Sequence, residues 1–178
     1  MSLNNKTKQQ GFTIVELLIV IVVIGILAAI TIVAYNGIQQ RAKNSQVIAG
    51  ANAYYKAILN YKTTYNVLPT ATGCLGANYP GNNCWMDGST PNQSVNATLD
   101  TQLSEFIGSN KPTLATSLLK MGSGGIYTNL SRAGLTYTNS GANKELRYYL
   151  DGNNQTCISG FSFANEADLT NCIITLTN

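Results

Sequence analysis

The chain has 178 residues and a formal net charge of +3, and only 11% of its residues are charged. Lys6 and Lys8 lie at its start, and the remainder, with nine basic and eight acidic residues, is close to neutral. A protein whose remaining residues are nearly neutral has no extended positive surface to attract nucleic acid, so we predict no direct nucleic-acid binding. The absence of histidine removes the commonest general base and metal ligand. The sequence therefore predicts no catalytic residue, no metal site and no cofactor.

The first predicted element is a membrane helix. From Leu17 to Tyr35 the chain is apolar apart from Gly25 and Thr31, and this stretch has 19 residues. The core of a bilayer takes about 20 residues of helix. Lys6 and Lys8 precede the stretch and no basic residue follows it until Arg41, which favours a cytoplasmic N-terminus. A cleaved secretory signal peptide has a shorter apolar core, whereas a plain signal anchor would leave Gly11 and Glu16 unexplained.

Glu16 is the only charged residue between Phe12 and Tyr35. A carboxylate costs up to ~3 kcal/mol at the centre of a membrane segment and less near its end, and such residues are usually paired and functional. If the bond between Gly11 and Phe12 is cut, Phe12 gains an α-amino group that is mostly cationic. Glu16 of one subunit can then face the Phe12 amine of a neighbour. The two charges would compensate each other only when the helices pack in the correct register.

The segment from Gly11 to Val20, GFTIVELLIV, resembles the class III signal of type IV pilins and pilin-like proteins. The resemblance covers about residues 6–65 and is most specific at Gly11, Phe12 and Glu16. It implies cleavage after Gly11 by a prepilin peptidase, N-methylation of the new N-terminal Phe12, and a register-setting role for Glu16. Many relatives carry a kinking proline in the apolar run, but this chain has none before Pro69. Gly25 and Gly37 are the weaker candidates for local loosening.

The resemblance also implies a function, a location and partners. The implied function is that of a structural subunit of a bacterial type IV pilus, supporting adhesion, twitching motility or DNA uptake. The precursor would be a single-pass inner-membrane protein that reaches the cell surface in the assembled pilus. Its partners would be copies of itself or other pilins, the prepilin peptidase, the inner-membrane assembly machinery and the membrane. The alternatives are a pseudopilin of a type II secretion system and a membrane-anchored extracytoplasmic binding module.

This interpretation divides the chain into four parts. Residues 1–11 form a leader peptide, residues 12–35 a transmembrane and filament-core helix, and residues 36–66 its amphipathic continuation. Residues 67–178 form an extracytoplasmic head. The amphipathic part is predicted by an apolar stripe with helical spacing, followed by Pro69. The stripe consists of Val47, Ala51, Tyr54, Ile58, Tyr61 and Tyr65.

The head begins with a predicted irregular loop over residues 67–95, which is rich in Gly, Asn, Pro and Thr. A short helix follows over residues 96–108, with Asn96 as its N-cap and Gly108 at its end. Residues 124–178 are predicted to form a β-meander from the segments GIYTNL, GLTYTN, ELRYYL and NCIITLTN, with TCISGFSF as a further candidate strand. Asp151-Gly152 is a hairpin-type dipeptide. The predicted fold class is α+β, with the long helix packed against an antiparallel sheet of about four strands.

The four cysteines all follow the apolar stretch and form no C-x-x-C pair, which favours disulfides in an oxidising compartment over a zinc site. Three pairings are possible. The preferred one closes two local loops, Cys74 with Cys84 and Cys157 with Cys172. By resemblance, the second pair would correspond to the disulfide-closed C-terminal loop of pilin heads.

Overall fold

The structure is a computed structural model that describes residues 11–87, 90–108, 111–112, 114, 119–120, 130–141 and 143–177. It divides into two compact units, Met1–Gln39 and Gln40–Asn178. Its helices are α1 (Ile14–Tyr65) and α2 (Ala97–Ile107), with a 3₁₀ turn at Pro80–Asn82. Its strands are β1 (Gly73–Leu75), β2 (Asn83–Asp87), β3 (Thr90–Ser94), β4 (Leu119–Lys120), β5 (Leu130–Arg132), β6 (Leu135–Ser140), β7 (Asn143–Asp151), β8 (Ser162–Glu166) and β9 (Leu169–Leu176). Apart from Gly11, the predicted leader over residues 1–11 lies outside the described residues.

Helix α1 is 52 residues long and continues through Gly25 and Gly37, as the lack of a proline in this region permits. It ends where the sequence predicted. Asn66 adopts a left-handed conformation with φ of 57°, and its amide donates to the Lys62 carbonyl at 2.8 Å. Asparagine tolerates this conformation, which is a common way to end a helix.

The apolar stripe on the second half of α1 packs as predicted over most of its length. Val47, Ala51, Tyr54 and Ile58 are at most 3% exposed. Further along, Tyr61 is half-buried, and Tyr65 is 50% exposed at the edge of the core. The buried hydrophobic residues of the described chain all lie in the second unit, and on the sheet they include Leu135, Tyr137, Leu146, Tyr148 and Leu150.

The described residues of the head form two antiparallel sheets, where the sequence predicted about four strands in one. The larger sheet has the order β1-β6-β7-β9-β8, and the smaller one has the order β3-β2-β5-β4. Strands β6, β7 and β9 confirm the segments GLTYTN, ELRYYL and NCIITLTN. The first segment, GIYTNL, lies outside the described residues except for Leu130, which begins β5.

The strand order also differs from a simple meander, because β9 lies between β7 and β8. Strand β7 pairs with β9 from Lys144–Leu176 to Asp151–Leu169. Asp151-Gly152 therefore closes no tight hairpin. It opens a longer connection that reaches β8 at Ser162, so only the end of TCISGFSF is a strand. The pairing is long-range in sequence, and short turn motifs do not encode it.

Helix α2 confirms the predicted short helix. The Asn96 side-chain oxygen accepts from the amides of Thr98 at 2.9 Å and Leu99 at 3.4 Å. This satisfies two of the amides that a helix start leaves unpaired. Gly108 follows the last turn with φ of 78°. Leu99 and Leu103 bury one face of the helix in the core.

The predicted irregular loop over residues 67–95 contains strands β1, β2 and β3, which is a correction to the sequence analysis. Strand β1 pairs with β6 in the larger sheet, whereas β2 and β3 pair with each other in the smaller one. The disulfide Cys74–Cys84 joins β1 to β2, and Cys157–Cys172 joins the β7–β8 connection to β9. These are the two pairings that the sequence analysis preferred.

Candidate assembly site in the N-terminal helix

The first unit presents a continuous apolar surface. All side chains that the structure describes between Gly11 and Gln39 are exposed, among them Phe12 at 88% and Ile14 at 85%. The large apolar residues that the structure describes from Leu17 to Ile32 are each about half exposed. Apolar patches of this size mark membrane or protein contacts, because soluble surfaces rarely carry them. By length and composition, α1 is long and apolar enough to cross a membrane.

Thr13 and Glu16 form a capping box at the start of α1. The Thr13 amide and hydroxyl donate to Glu16 Oε2 at 2.9 and 2.7 Å, and the Glu16 amide donates to Thr13 Oγ1 at 3.2 Å. The Thr13 carbonyl accepts the first helical bond, from the Leu17 amide at 3.3 Å. This reciprocal arrangement pairs amides that a helix start otherwise leaves open. It also places the Glu16 carboxylate at the positive end of the helix dipole.

Thr13 is the site residue that sequence reasoning missed. The sequence analysis explained Glu16 only through a neighbouring subunit, although Thr13-Ile14-Val15-Glu16 has the T-x-x-E spacing of a capping box. That spacing directly before an apolar run is the signal that predicts the pair.

Gly11 and Phe12 precede α1 and are not helical. Both are exposed, and a Cβ placed on Gly11 would have no heavy atom within 4 Å. The peptide bond between them is therefore accessible from solvent. The structure brings Gly11, Phe12 and Glu16 together within the first turn of α1 and the residues just before it.

In the second unit, polar side chains fasten α1 to the end of β7. Gln40 Nε2 and Asn44 Nδ2 donate to the Asp151 carbonyl at 2.8 and 2.9 Å. The Asp151 amide donates back to Asn44 Oδ1 at 2.9 Å. At the other end of this part of the helix, Lys62 Nζ donates to the Thr177 carbonyl at 2.6 Å. Apolar spacing along the sequence gives no signal for these polar contacts.

No group of three or more histidine, cysteine or acidic side chains in the described part of the chain is placed to hold a metal ion. All four cysteines are in disulfides.

A long N-terminal helix that begins three residues after an exposed glycine is followed by disulfide-linked antiparallel sheets, and this arrangement is consistent with a pilin-like α+β fold. The family model described as the prokaryotic N-terminal methylation motif matches residues 6–32. The N-terminal part of the chain is therefore similar to the signal of type IV pilins and pilin-like proteins.

Curated relatives are similar over part of the chain. The type IV major pilin protein PilE of Neisseria gonorrhoeae is 40% identical over 63 residues, which cover 35% of this chain and 38% of that protein. A fimbrial protein of Neisseria meningitidis is 39% identical over 70 residues, which cover 39% and 41%. The type II secretion system core protein G of Aeromonas hydrophila is 33% identical over 72 residues, which cover 40% and 50%.

The chain thus matches between about two fifths and one half of the length of these relatives. No solved structure matches the chain significantly.

Proposed function

We propose that this protein is a structural subunit of a bacterial type IV pilus. The observation that carries the proposal is the exposed apolar surface from Phe12 to Ile32, which begins directly after an accessible glycine within a matched methylation motif. Outside lipid, this surface has to be covered by other subunits. Burial gains roughly 1.5–3 kcal/mol per large apolar side chain, so lateral packing of such helices drives assembly.

The proposed processing divides the chain as the sequence suggested. A prepilin peptidase cuts after Gly11 and removes residues 1–11, and Phe12 becomes the methylated N-terminus. Residues 12–35 form the membrane and filament-core helix, residues 36–66 continue it, and residues 67–178 form the head. The exposed, non-helical backbone at Gly11 and Phe12 supports this assignment.

Glu16 is proposed to pair with the Phe12 ammonium of a neighbouring subunit. The capping box engages Oε2, and an ionised carboxylate has about four lone-pair sites on its two oxygens. The contact with Thr13 and the contact with a neighbour are therefore compatible. Because Thr13 fixes the carboxylate at the helix start, the neighbour's ammonium meets a group that is already oriented.

The location and partners follow from this proposal. The precursor lies in the inner membrane with Lys6 and Lys8 on the cytoplasmic side, and the assembled subunit lies in a pilus at the cell surface. It contacts copies of itself or other pilins, the prepilin peptidase and the inner-membrane assembly machinery. Adhesion, twitching motility or DNA uptake is a property of the filament, and the subunit acts as a building block without catalysis.

The experiment is mass spectrometry of surface filaments sheared from cells that produce this chain. The expected result is a mature protein that begins with methylated Phe12. An intact Met1 in the surface material would overturn the proposal. In parallel, Glu16→Gln should abolish filaments while membrane insertion stays normal. The matched control is Asp87→Asn, which removes one exposed carboxylate charge from the head and should leave filaments intact.

A pseudopilin of a type II secretion system is the second candidate, and the similarity to core protein G favours it. Its N-terminal processing is the same, so cellular location decides between the two. A short fibre confined to the periplasm would support the pseudopilin, and a surface filament supports the pilin. A membrane-anchored binding module would retain its function in Glu16→Ala, because it needs no register between helices.

A further inference from the structure

The second half of α1 has an exposed outer face, opposite the buried stripe that starts at Val47. The residues of this face precede the members of the stripe by two positions, which is about 200° around a helix. The face consists of Ser45, Ala49, Asn52, Lys56, Leu59 and Thr63, all of which are exposed. Because Ser45 and Ala49 are small, a neighbouring chain can come close to the helix backbone there.

Lys56 is the one charged residue of this outer face. It is exposed, and it forms neither a hydrogen bond nor an ion pair with the part of its own chain that the structure describes. Residues 36–66 contain four basic residues and no acidic one, so this part of α1 offers Lys56 no carboxylate. If the outer face is covered, the ammonium loses water, and a buried charge without a partner is costly.

The head has the opposite balance of charge, with five basic and seven acidic residues between positions 67 and 178. The basic side chains of the head that the structure describes are already buried or paired. Lys144 is buried, and the ion pairs are Lys111 with Asp100, Arg132 with Glu166, and Arg147 with Glu145. The head therefore carries more carboxylates than its own described cations neutralise.

Asp168 is one of the carboxylates that remain. It is exposed in the turn between β8 and β9, and its side chain has no hydrogen bond or ion pair to the described residues. Asp151 lies beside it, because the Gly152 amide donates to the Asp168 carbonyl at 2.9 Å and Asp151 is opposite Leu169 in the β7–β9 ladder. Two carboxylates therefore lie at this end of the larger sheet, whereas the exposed Asp87 is in the smaller sheet.

Lys56 and Asp168 lie at different levels along α1. Asn44 bonds the backbone of Asp151, next to Asp168. Lys56 follows Asn44 by twelve residues, roughly 18 Å of helix, which a lysine side chain is too short to span. The two charges therefore cannot pair within one subunit. They can pair between two copies that are displaced along the helix axis, as successive subunits of a filament are.

We infer that the outer face of α1 packs against the head of a second copy, where Lys56 pairs with Asp168 of that copy. The inference rests on the proposed filament and adds to it a contact outside the apolar N-terminal segment. Ser45 and Ala49 allow the close approach, and the opposite charges orient it. The pair favours one axial displacement of the two copies, because other displacements leave the ammonium covered and unpaired.

The test measures the yield of surface filaments sheared from cells that produce variants of the full chain. Lys56→Glu places like charges together and should lower the yield about tenfold or more, while the amount of subunit in the membrane stays the same. Lys56→Glu combined with Asp168→Lys restores a pair of opposite charges with the signs reversed. This double variant should recover most of the yield.

Two controls separate the pair from a general effect of charge. Lys43→Glu makes the same change of charge at an exposed position about 140° around the helix from Lys56, and it should keep the yield. Lys56→Glu combined with Asp87→Lys has the same net charge as the rescuing variant but should stay as poor as Lys56→Glu alone.

Cross-linking of filaments of the unaltered chain gives a second measurement. A carbodiimide joins an amine to a carboxylate only where the two are in contact. Peptide mass spectrometry of treated filaments should find Lys56 joined to Asp168. In monomers held in detergent this product should be absent, because the two residues are too far apart within one chain.

The outcomes distinguish this inference from the proposed function. If the unaltered chain forms no surface filament, the proposed function fails. If it forms filaments and Lys56→Glu forms as many, only the inference about Lys56 is overturned. A loss in Lys56→Glu that Asp168→Lys does not reverse, or a cross-link of Lys56 only to other carboxylates, also overturns it, because the outer face then has a different occupant.

Discussion

Thr13 and Glu16 share three hydrogen bonds, and this pair determines how the carboxylate is presented at the start of α1. A free glutamate side chain samples many rotamers, and ordering it costs free energy when a partner binds. The capping box fixes the rotamer beforehand. If Glu16 pairs with a neighbouring ammonium, Thr13 acts as a positioning residue for it.

The first prediction concerns this pair. Thr13→Ala should destabilise the start of α1 by about 1 kcal/mol, because the N-cap acceptor is lost. Amide hydrogen exchange in micelles should then be about fivefold faster in the first turn and unchanged beyond Ile19. Thr13→Ser keeps the hydroxyl and should exchange like the original protein. Equal protection in Thr13→Ala would show that the capping box does not stabilise this turn.

The second prediction concerns the ionisation of Tyr54. Its pKa of about 12 in the folded chain lies above the value of about 10 expected after unfolding. Below pH 10 the folded and the unfolded chain both keep the Tyr54 proton, so the stability linked to this proton is fully present. As the pH rises from 10 to about 12, only the unfolded state releases the proton, so stability falls by about 1.4 kcal/mol per pH unit for this group.

Urea unfolding at pH 9, 10 and 11, followed by the fluorescence of Trp85, measures this loss. Tyr54→Phe should remove about 1 kcal/mol from the loss of stability between pH 10 and 11, because the tyrosine of the unfolded state is only half ionised at pH 10. The remaining slope comes from Tyr79, Tyr137, Tyr148 and Tyr149, whose pKa values burial also raises. An identical slope in Tyr54→Phe would contradict the argument.

At the scale of elements, the two disulfides differ in their access to solvent. Cys74 and Cys84 are fully buried, whereas Cys157 is partly exposed and pairs with the buried Cys172. Exchange requires a thiolate to reach a sulfur atom, so access sets its rate in the native state. The bridges close sequence separations of 10 and 15 residues, each worth about 3 kcal/mol in the chain-entropy model.

The third prediction is an order of reduction. With increasing dithiothreitol under native conditions, Cys157–Cys172 should open before Cys74–Cys84. Alkylation of the free thiols followed by peptide mass spectrometry measures the order. After reduction of Cys157–Cys172, the head should remain folded but be less stable by about 3 kcal/mol. Simultaneous labelling of all four cysteines would mean that both bridges open only on global unfolding.

Local signals decide which elements the sequence predicts. Helix α2 is bounded by Asn96 and Gly108, whose cap chemistry is local, and β7 is rich in large and aromatic residues. Strands β2 and β3 read Asn-Cys-Trp-Met-Asp and Thr-Pro-Asn-Gln-Ser, which have weak strand propensity and a proline. They form through pairing with each other and with β5. Such pairing depends on tertiary context, which no short window of sequence contains.

The prediction of the candidate site also rests on local signals. Gly11, Phe12 and Glu16 lie within six residues, and each has a chemical role that can be argued from its neighbours. A cleft of about 270 Å³, lined by Tyr54 of α1, Leu103 of α2 and Lys111, was not predictable, because it requires two helices and a distant residue to meet in space. On the sequence, Tyr54 is one more member of the apolar stripe.

At the scale of the whole molecule, the two units differ in how their apolar residues are covered. The described core lies entirely between Val47 and Leu176 in the second unit, whereas the large side chains from Phe12 to Ile32 are exposed. The first unit therefore depends on lipid or on other molecules. The second unit contains its own core, both disulfides and the polar contacts of Gln40 and Asn44 with Asp151.

The fourth prediction follows from this contrast. Residues 40–178 alone should fold, remain monomeric without detergent and unfold cooperatively, because every buried hydrophobic residue described lies in this part. The full chain should require detergent and should retain the same amide spectrum for residues beyond Ile48. Analytical ultracentrifugation and thermal unfolding of both proteins measure the difference. If the protein made of residues 40–178 aggregates or unfolds without cooperativity, the first unit supplies stability to the head. Filament assembly would then be coupled to folding.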